Sequence, residues 1–230
     1  MLYSIRGLHR RFGRAGAQTT ALRDVTLDIA EGELVALVGP SGCGKTTLLQ
    51  ILGGIDPDFE GEIRFLHQSL GQMKASERAA LRLAQMGFVF QTSQLLDALT
   101  VQQNIALPLW RLRGDRRAAE RRAGELAEEL GIAHRLGHLP RQLSVGEMQR
   151  TAAARALVCE PRVILADEPT ASLDAENGEH IICFLERVVR AGRTVVVASH
   201  DPAVIRRASR QLRMERGQIA EDSATAASNR

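Results

Sequence analysis

The chain has 230 residues, 44% of them hydrophobic, enough for one large domain, or a domain with a subdomain, around a substantial core. No apolar run approaches the roughly 20 residues of a membrane-spanning helix, and Met1 to Arg6 lack a signal-peptide core, so the protein is expected to stay in the cytosol. A formal charge of only +3, few aromatics, and three cysteines (Cys43, Cys159, Cys183) without metal-ligand spacing argue against a nucleic-acid partner, a disulfide framework and a zinc site.

Tyr3 to Phe12 reads as an edge strand and the alternation Val25, Leu27, Ile29 as a half-buried strand, with turn-rich residues 13–18 between them. Glu31-Gly32-Glu33 turns the chain into the apolar run Leu34 to Val38. Directly after it comes Gly39-Pro40-Ser41-Gly42-Cys43-Gly44-Lys45-Thr46, with Thr47 behind, a match to G-x-x-x-x-G-K-[ST]. A helix through Leu52, stopping at Gly53-Gly54, completes the order strand, glycine loop, helix. Residues without Cβ let the backbone wrap an anion with inward N–H groups, and the helix N-terminus adds positive potential. Lys45 is thereby assigned to the β and γ phosphates of a nucleotide, and Thr46 to Mg2+.

A strand follows from Gly61 to Leu66, then a helix capped by Ser76 and running through Ala84. Gly87 to Gln91 reads as a buried strand ending in a polar side chain, at the carboxyl end where ligands of open α/β sheets sit. Residues 92–158 turn helical: Val101 to Arg113 interrupted by Pro108, Asp115 to Leu130 closed by Gly131, and a segment starting at Ser144. The basic stretch Arg111 to Arg122, with acids interspersed, reads as a solvated helix face. Strand signals resume at Arg162 to Asp167 and Thr194 to Ser199, and Glu221 to Arg230 reads as a disordered tail after a domain of residues 1–220. The expected fold is α/β: a P-loop NTPase core with a mainly parallel sheet, an N-terminal antiparallel β subdomain and an inserted α-helical subdomain at about 92–158.

Two further constellations carry chemistry. Val163 to Ala166 is an apolar strand running into Asp167 and Glu168, one carboxylate to hold Mg2+ through its water shell and one to polarise the attacking water. Ser144 and Glu147 have capping-box spacing, which on its own explains them as the start of a helix; beside Gly146, the same N-terminus is also an anion site.

Over nearly its whole length, Tyr3 to Gly217, the chain resembles the nucleotide-binding subunit of ATP-binding-cassette (ABC) transporters, with the motifs in family order. The phosphate loop is followed by Gln91, similar to the Q-loop glutamine, and by Leu143 to Arg150, similar to the signature sequence. Asp167-Glu168 is similar to the second Walker motif, Ser172-Leu173-Asp174 to the D-loop, and His200 to the switch histidine. The resemblance implies that Phe12 stacks on adenine and that Gln91 joins Thr46 and Asp167 at Mg2+. It implies catalytic roles for Glu168, His200, Gln91 and Asp174, and a signature formed by Ser144, Val145, Gly146 and Glu147 acting on a partner chain's ATP. It also implies a head-to-tail dimer and a separate membrane permease, contacted around Thr92 to Ile105 through Leu95, Leu96, Leu99 and Val101, with the subunit peripheral on the inner face of the cell membrane. Gly87 to Gln91, Leu95 to Thr100, Leu165 to Thr170 and Glu147 are similar to the lipoprotein-release, macrolide-efflux and cell-division branch. A membrane scaffold that uses ATP without moving cargo stays open. Val145 departs from the pattern by standing where the signature has its first glycine: tolerable if the position is helical, costly if it needs φ > 0.

Overall fold

The computed structural model of the chain describes residues 1–13 and 18–224. Two sheets carry the fold. The first is antiparallel, in the order β2 (Thr19–Ile29), β1 (Tyr3–Phe12), β4 (Glu60–Phe65), β5 (Gln68–Ser69). The second places β3 (Leu34–Val38), β8 (Thr194–Ala198), β7 (Val163–Asp167) and β6 (Met86–Val89) side by side and parallel, with β9 (Arg210–Glu215) parallel to β3 on the other flank and β10 (Gln218–Asp222) antiparallel at the edge. The mainly parallel core sheet and the antiparallel N-terminal sheet are as expected.

The central strands are unbroken apolar runs because both faces are covered. Val35, Leu37, Val163, Leu165, Val196 and Ala198 point into a core shared with the antiparallel sheet and with Leu48, Leu49, Ile51 and Leu52 of α1 (Lys45–Leu52). Leu34, Ala36, Ile164, Ala166, Val195 and Val197 face the helices α3 (Val101–Arg113), α4 (Arg116–Glu129), α5 (Val145–Leu157) and α6 (Ala175–Arg190). The helix of the phosphate loop is thus clamped between two sheets. The buried Tyr3 hydroxyl donates to the Leu52 carbonyl at 3.0 Å, tying the antiparallel sheet to the C-terminus of α1, and burial drives the Tyr3 pKa far above its ordinary value.

Several local expectations are corrected. The helix α2 (Ala75–Gln85) starts two residues earlier than a Ser76 cap implies: Lys74 is the N-cap, and the Lys74 backbone N–H donates to Glu77 at 2.7 Å. Pro108 does not interrupt α3, which is continuous from Val101 to Arg113; the missing N–H forgoes one bond, while Ile105 and Leu109 on either side are anchored in the core. Strand β6 stops at Val89, so Gln91 lies two residues past its end. Glu221 and Asp222 belong to β10 and not to a tail, because Asp222 receives the Arg210 guanidinium at 2.6 and 2.9 Å. Residues 225–230 of the expected tail and 14–17 of the expected loop lie outside the described residues. A short helix α7 (Pro202–Arg207), capped by Asp201, joins β8 to β9.

Candidate active site

The phosphate loop links β3 to α1 through glycines in conformations other residues avoid. Gly44, at φ +108, precedes α1, and a Cβ there would sit 2.6 Å from the Ala21 carbonyl oxygen. The loop is anchored from outside, since the Gly217 N–H in the β9–β10 turn donates to the Cys43 carbonyl at 3.0 Å. Lys45 is buried and folded back over the loop, its Nζ donating to the carbonyls of Gly39 (2.8 Å) and Pro40 (3.2 Å). These are neutral, replaceable acceptors, so the ammonium stands where loop N–H groups and a phosphate oxygen would meet.

Two of the three sequence-predicted metal ligands are brought together: the Thr46 hydroxyl donates to Asp167 Oδ1 at 3.2 Å. Asp167 ends β7 half-buried, and burial pushes its pKa up, opposed by the Thr46 hydrogen bond. The neighbouring charge of Glu168 adds to the rise and Lys45 works against it. Among the described residues no three His, Cys, Asp or Glu side chains cluster at a potential metal site, and a cation held by Thr46 and Asp167 would need further ligands such as phosphate and water oxygens. A hydroxyl beside a destabilised carboxylate fits Mg2+. Gln91 is exposed beyond β6, outside that pair.

One residue on, Glu168 sits at φ +45, with its N–H donating to the Ala198 carbonyl at 2.9 Å. The turn aims its carboxylate at the end of β8, where His200 Nδ1 lies 2.9 Å from Glu168 Oε2 and the His200 backbone N–H reaches the same oxygen at 3.4 Å. Two residues 32 positions apart in the chain therefore act as one unit, a contact the sequence does not disclose. Phe12, 40% exposed at the end of β1, carries the Arg10 guanidinium over its ring at 4.2 Å from the centroid.

The signature segment is built differently. Ser144 caps α5 in a capping box: its Oγ accepts from the Glu147 N–H at 3.2 Å, and Glu147 accepts from the Ser144 N–H at 2.8 Å. Glu147 also receives Arg135 at 2.7 Å, and the Ser144 backbone bond first, then Arg135, lowers its pKa from 4.5 to about 2. Val145 is the first residue of α5 with helical backbone and is 51% exposed, so the departure from glycine meets no conformational penalty. Gly146 is buried against α6: a Cβ there would overlap the Asn177 side-chain amide. Asn177 in turn accepts from Arg150 and donates through Nδ2 to Asp174 at 2.9 Å, while Asp174 caps α6 through the Asn177 N–H at 2.8 Å. Among the described residues no hydrogen bond or ion pair joins residues 144–147 to residues 39–47.

Sequence reasoning missed two connectors. Buried Gln149 on α5 donates to the carbonyls of Phe90 (2.9 Å) and Pro169 (3.1 Å), joining the segment before Gln91 to the turn after Glu168. Arg155, whose pKa burial lowers, donates to the carbonyls of Ser93 (2.8 Å) and Gln94 (2.7 Å). In the sequence both are simply polar residues on a helix, and no local pattern marks either contact. Buried Asn104 braces the next stretch through Leu96, Leu99 and Thr100, leaving Leu96 exposed and Leu95 and Leu99 half-buried; Val101 is core, not docking surface.

The chain is similar to several known proteins. The sequence profile described as "ABC transporter" matches residues 22–171. The lipoprotein-releasing system ATP-binding protein LolD of Myxococcus xanthus (strain DK1622) is 45% identical over 96% of the chain and 99% of that protein. The macrolide export ATP-binding/permease protein MacB 1/2 of Paracoccus denitrificans (strain Pd 1222) is 43% identical over 98% of the chain, and the chain spans about a third of that protein's length (34%). MacB of Photorhabdus laumondii is 40% identical, with 35% of its length covered. Among solved structures, the ATP-binding cassette MJ0796, as a dimer bound to ADP and Pi, superposes with a TM-score of 0.91 at 35% identity, covering 96% of this chain and 97% of that one.

Proposed function

This chain belongs to the ABC transporter family, and on that premise we propose that two copies close head to tail around two ATP molecules and drive a separate integral membrane permease. The reading rests above all on one observation: the Glu168 carboxylate, held by His200, stands one residue beyond the Asp167 that meets Thr46. Lys45 and the loop N–H groups bind the β and γ phosphates. Thr46 and Asp167 would hold Mg2+, Asp167 through water and with Gln91 joining from its loop, and the ion when bound neutralises phosphate charge. Glu168 orients or deprotonates the attacking water, and His200 fixes Glu168 and reports the γ-phosphate. Phe12 stacks on adenine. The exposed Ser144 hydroxyl and the N-terminus of α5, with Val145 and Gly146, cover the ATP of the opposite chain, and Asp174 lies at the same interface. Loss of the γ-phosphate removes those contacts and loosens the dimer.

The motion goes to the permease, which docks on residues 92–105 at the inner face of the cell membrane; among the described residues no helix is long and apolar enough to cross a membrane. The cargo class favoured by the relatives is a lipoprotein, lipid or drug moved outward. Glu168→Gln tests the reading: with ATP and Mg2+ the variant runs as a dimer on size exclusion and does not turn over. Hydrolysis at the wild-type rate, or a monomer under those conditions, would sink it; co-purification with a membrane subunit tests the partner.

A further inference from the structure

The arginine-rich stretch 110–121, which the nucleotide chemistry leaves unused, forms the tip of the α3–α4 hairpin. Gly114, at φ +75, ends α3, and Asp115 caps α4 by accepting the Ala118 N–H at 2.9 Å, so the chain reverses within two residues. Trp110, the single tryptophan of the chain, and Leu112 stand at this tip 42% and 38% exposed. Trp110 also walls a shallow depression of about 160 Å3 together with Leu99 and Leu107. The face of α3 that carries Val101, Ile105 and Leu109, and that Leu112 continues to the helix end, already fills the core, so folding alone does not account for Trp110 on the other side of the helix.

Five arginines at this tip face only two carboxylates, Asp115 and Glu120. Asp115 is engaged as the cap, and Glu120 pairs with Arg116 at 2.7 Å. Arg111, Arg113, Arg117 and Arg121 are exposed and make no ion pair among the described residues, whereas Arg122, just beyond, meets Glu125, Glu129 and Glu160. At roughly 100° per residue, Arg111 and Arg113 flank Trp110 on either side. An indole and a leucine left in water beside four unpaired guanidinium groups match a layer with phosphates outside and hydrocarbon beneath. A nucleic-acid strand would instead call for several stacking aromatics, and only one is present.

We propose that the α3–α4 tip rests on an anionic lipid surface, with Trp110 and Leu112 in the headgroup layer and Arg111, Arg113, Arg117 and Arg121 against lipid phosphates. The contact involves no nucleotide and no dimer, so it stands or falls separately from the ATPase reading. The purified full chain is mixed with vesicles of phosphatidylcholine alone or containing about one-third phosphatidylglycerol, at about 0.05 and 0.5 M salt. Because Trp110 is the only tryptophan, emission reads its environment directly. The expected result is cosedimentation and a blue shift with anionic vesicles at low salt, both lost at high salt and absent with neutral vesicles. Each arginine removed lowers the partition coefficient about fivefold, so R111E/R113E and R117E/R121E each lower it by about 25-fold or more. Basal ATPase and melting temperature control for folding, and R111Q/R113Q replaces a reversal pair that fails to fold. Unshifted emission, absent sedimentation, equal binding to neutral vesicles, or binding indifferent to salt and to both pairs overturns the proposal.

Discussion

The phosphate-gripping half of the site and the signature half spend their polar groups in opposite ways. Around the phosphate loop the functional side chains touch one another or neutral carbonyls: Lys45 on Gly39 and Pro40, Thr46 on Asp167, Glu168 on His200. Each of those bonds is one that a phosphate, a cation or a water could take over without leaving a buried group unsatisfied. At the signature, Glu147 is committed to Ser144 and Arg135, and Gly146 is wedged under Asn177, so the polar groups build the surface and only the Ser144 and Val145 side chains face outward. One half is a site that rearranges for its ligand; the other is a preformed face. Substitutions should therefore cost turnover in the first half and stability in the second.

The largest effect is expected from Glu168→Gln, which keeps shape and removes the base: turnover should fall on the order of 100-fold or more while the melting temperature stays near wild type. A comparable loss of melting temperature would mean that Glu168 is structural, and the contrast between the halves would disappear.

Gly146→Ala sets the opposite expectation. Its methyl group would overlap the Asn177 amide, an overpacking cost of roughly 1–3 kcal/mol. Adding Asn177→Ala removes the obstructing atoms, so the double variant should recover most of the melting temperature lost by Gly146→Ala alone. Additive losses in that cycle would show that the glycine is not held by this contact.

Glu147→Gln is milder, about 1 kcal/mol, because glutamine can still accept the Ser144 N–H but loses the charge facing Arg135. Its pH dependence is the sharper signal. The folded-state pKa of Glu147 is depressed from 4.5 to about 2, so its charge stabilises the fold fully above about 4.5 and ceases to do so as pH falls toward about 2. The gap in melting temperature between wild type and Glu147→Gln should narrow across that window; a gap constant from pH 5 to 2.5 would count against the charge.

How much of this was legible in the sequence follows from the range over which each signal acts. Strands β3, β7 and β8 are apolar runs because both faces are buried, and Thr100, Asp115 and Ser144 announce helix starts within three residues. Strand β9 offers only Leu212 and Met214 among polar and charged residues, and β10 depends on Arg210 finding Asp222, a pairing no local pattern encodes. Lys74 displaced Ser76 as a cap because Glu77 reaches Lys74, whereas Ser76 lies already inside the helix. At the site, the motif residues were readable by type and spacing, but the bonds that organise them were not. Glu168 with His200, Gln149 with Phe90 and Pro169, and Gly146 with Asn177 all join segments that only the folded chain brings together.

Val145 carries the smallest expected effect and tests the comparison at its edge. It opens α5 with helical dihedrals, so glycine offers no conformational relief there and adds unfolded-state freedom, a loss below about 1 kcal/mol, read as a drop of a few degrees at most. The side chain is more than half exposed, so its removal leaves no cavity. What changes is the face presented to the opposite chain: loss of the isopropyl group lets the α5 N-terminus approach a phosphate more closely. Val145→Gly should therefore leave the ATPase rate unchanged or raise it, with a slightly lower melting temperature. A marked fall in rate at unchanged dimerisation would mean that the valine itself contributes to the closed interface, and that the signature half of this chain is tuned to a bulkier contact.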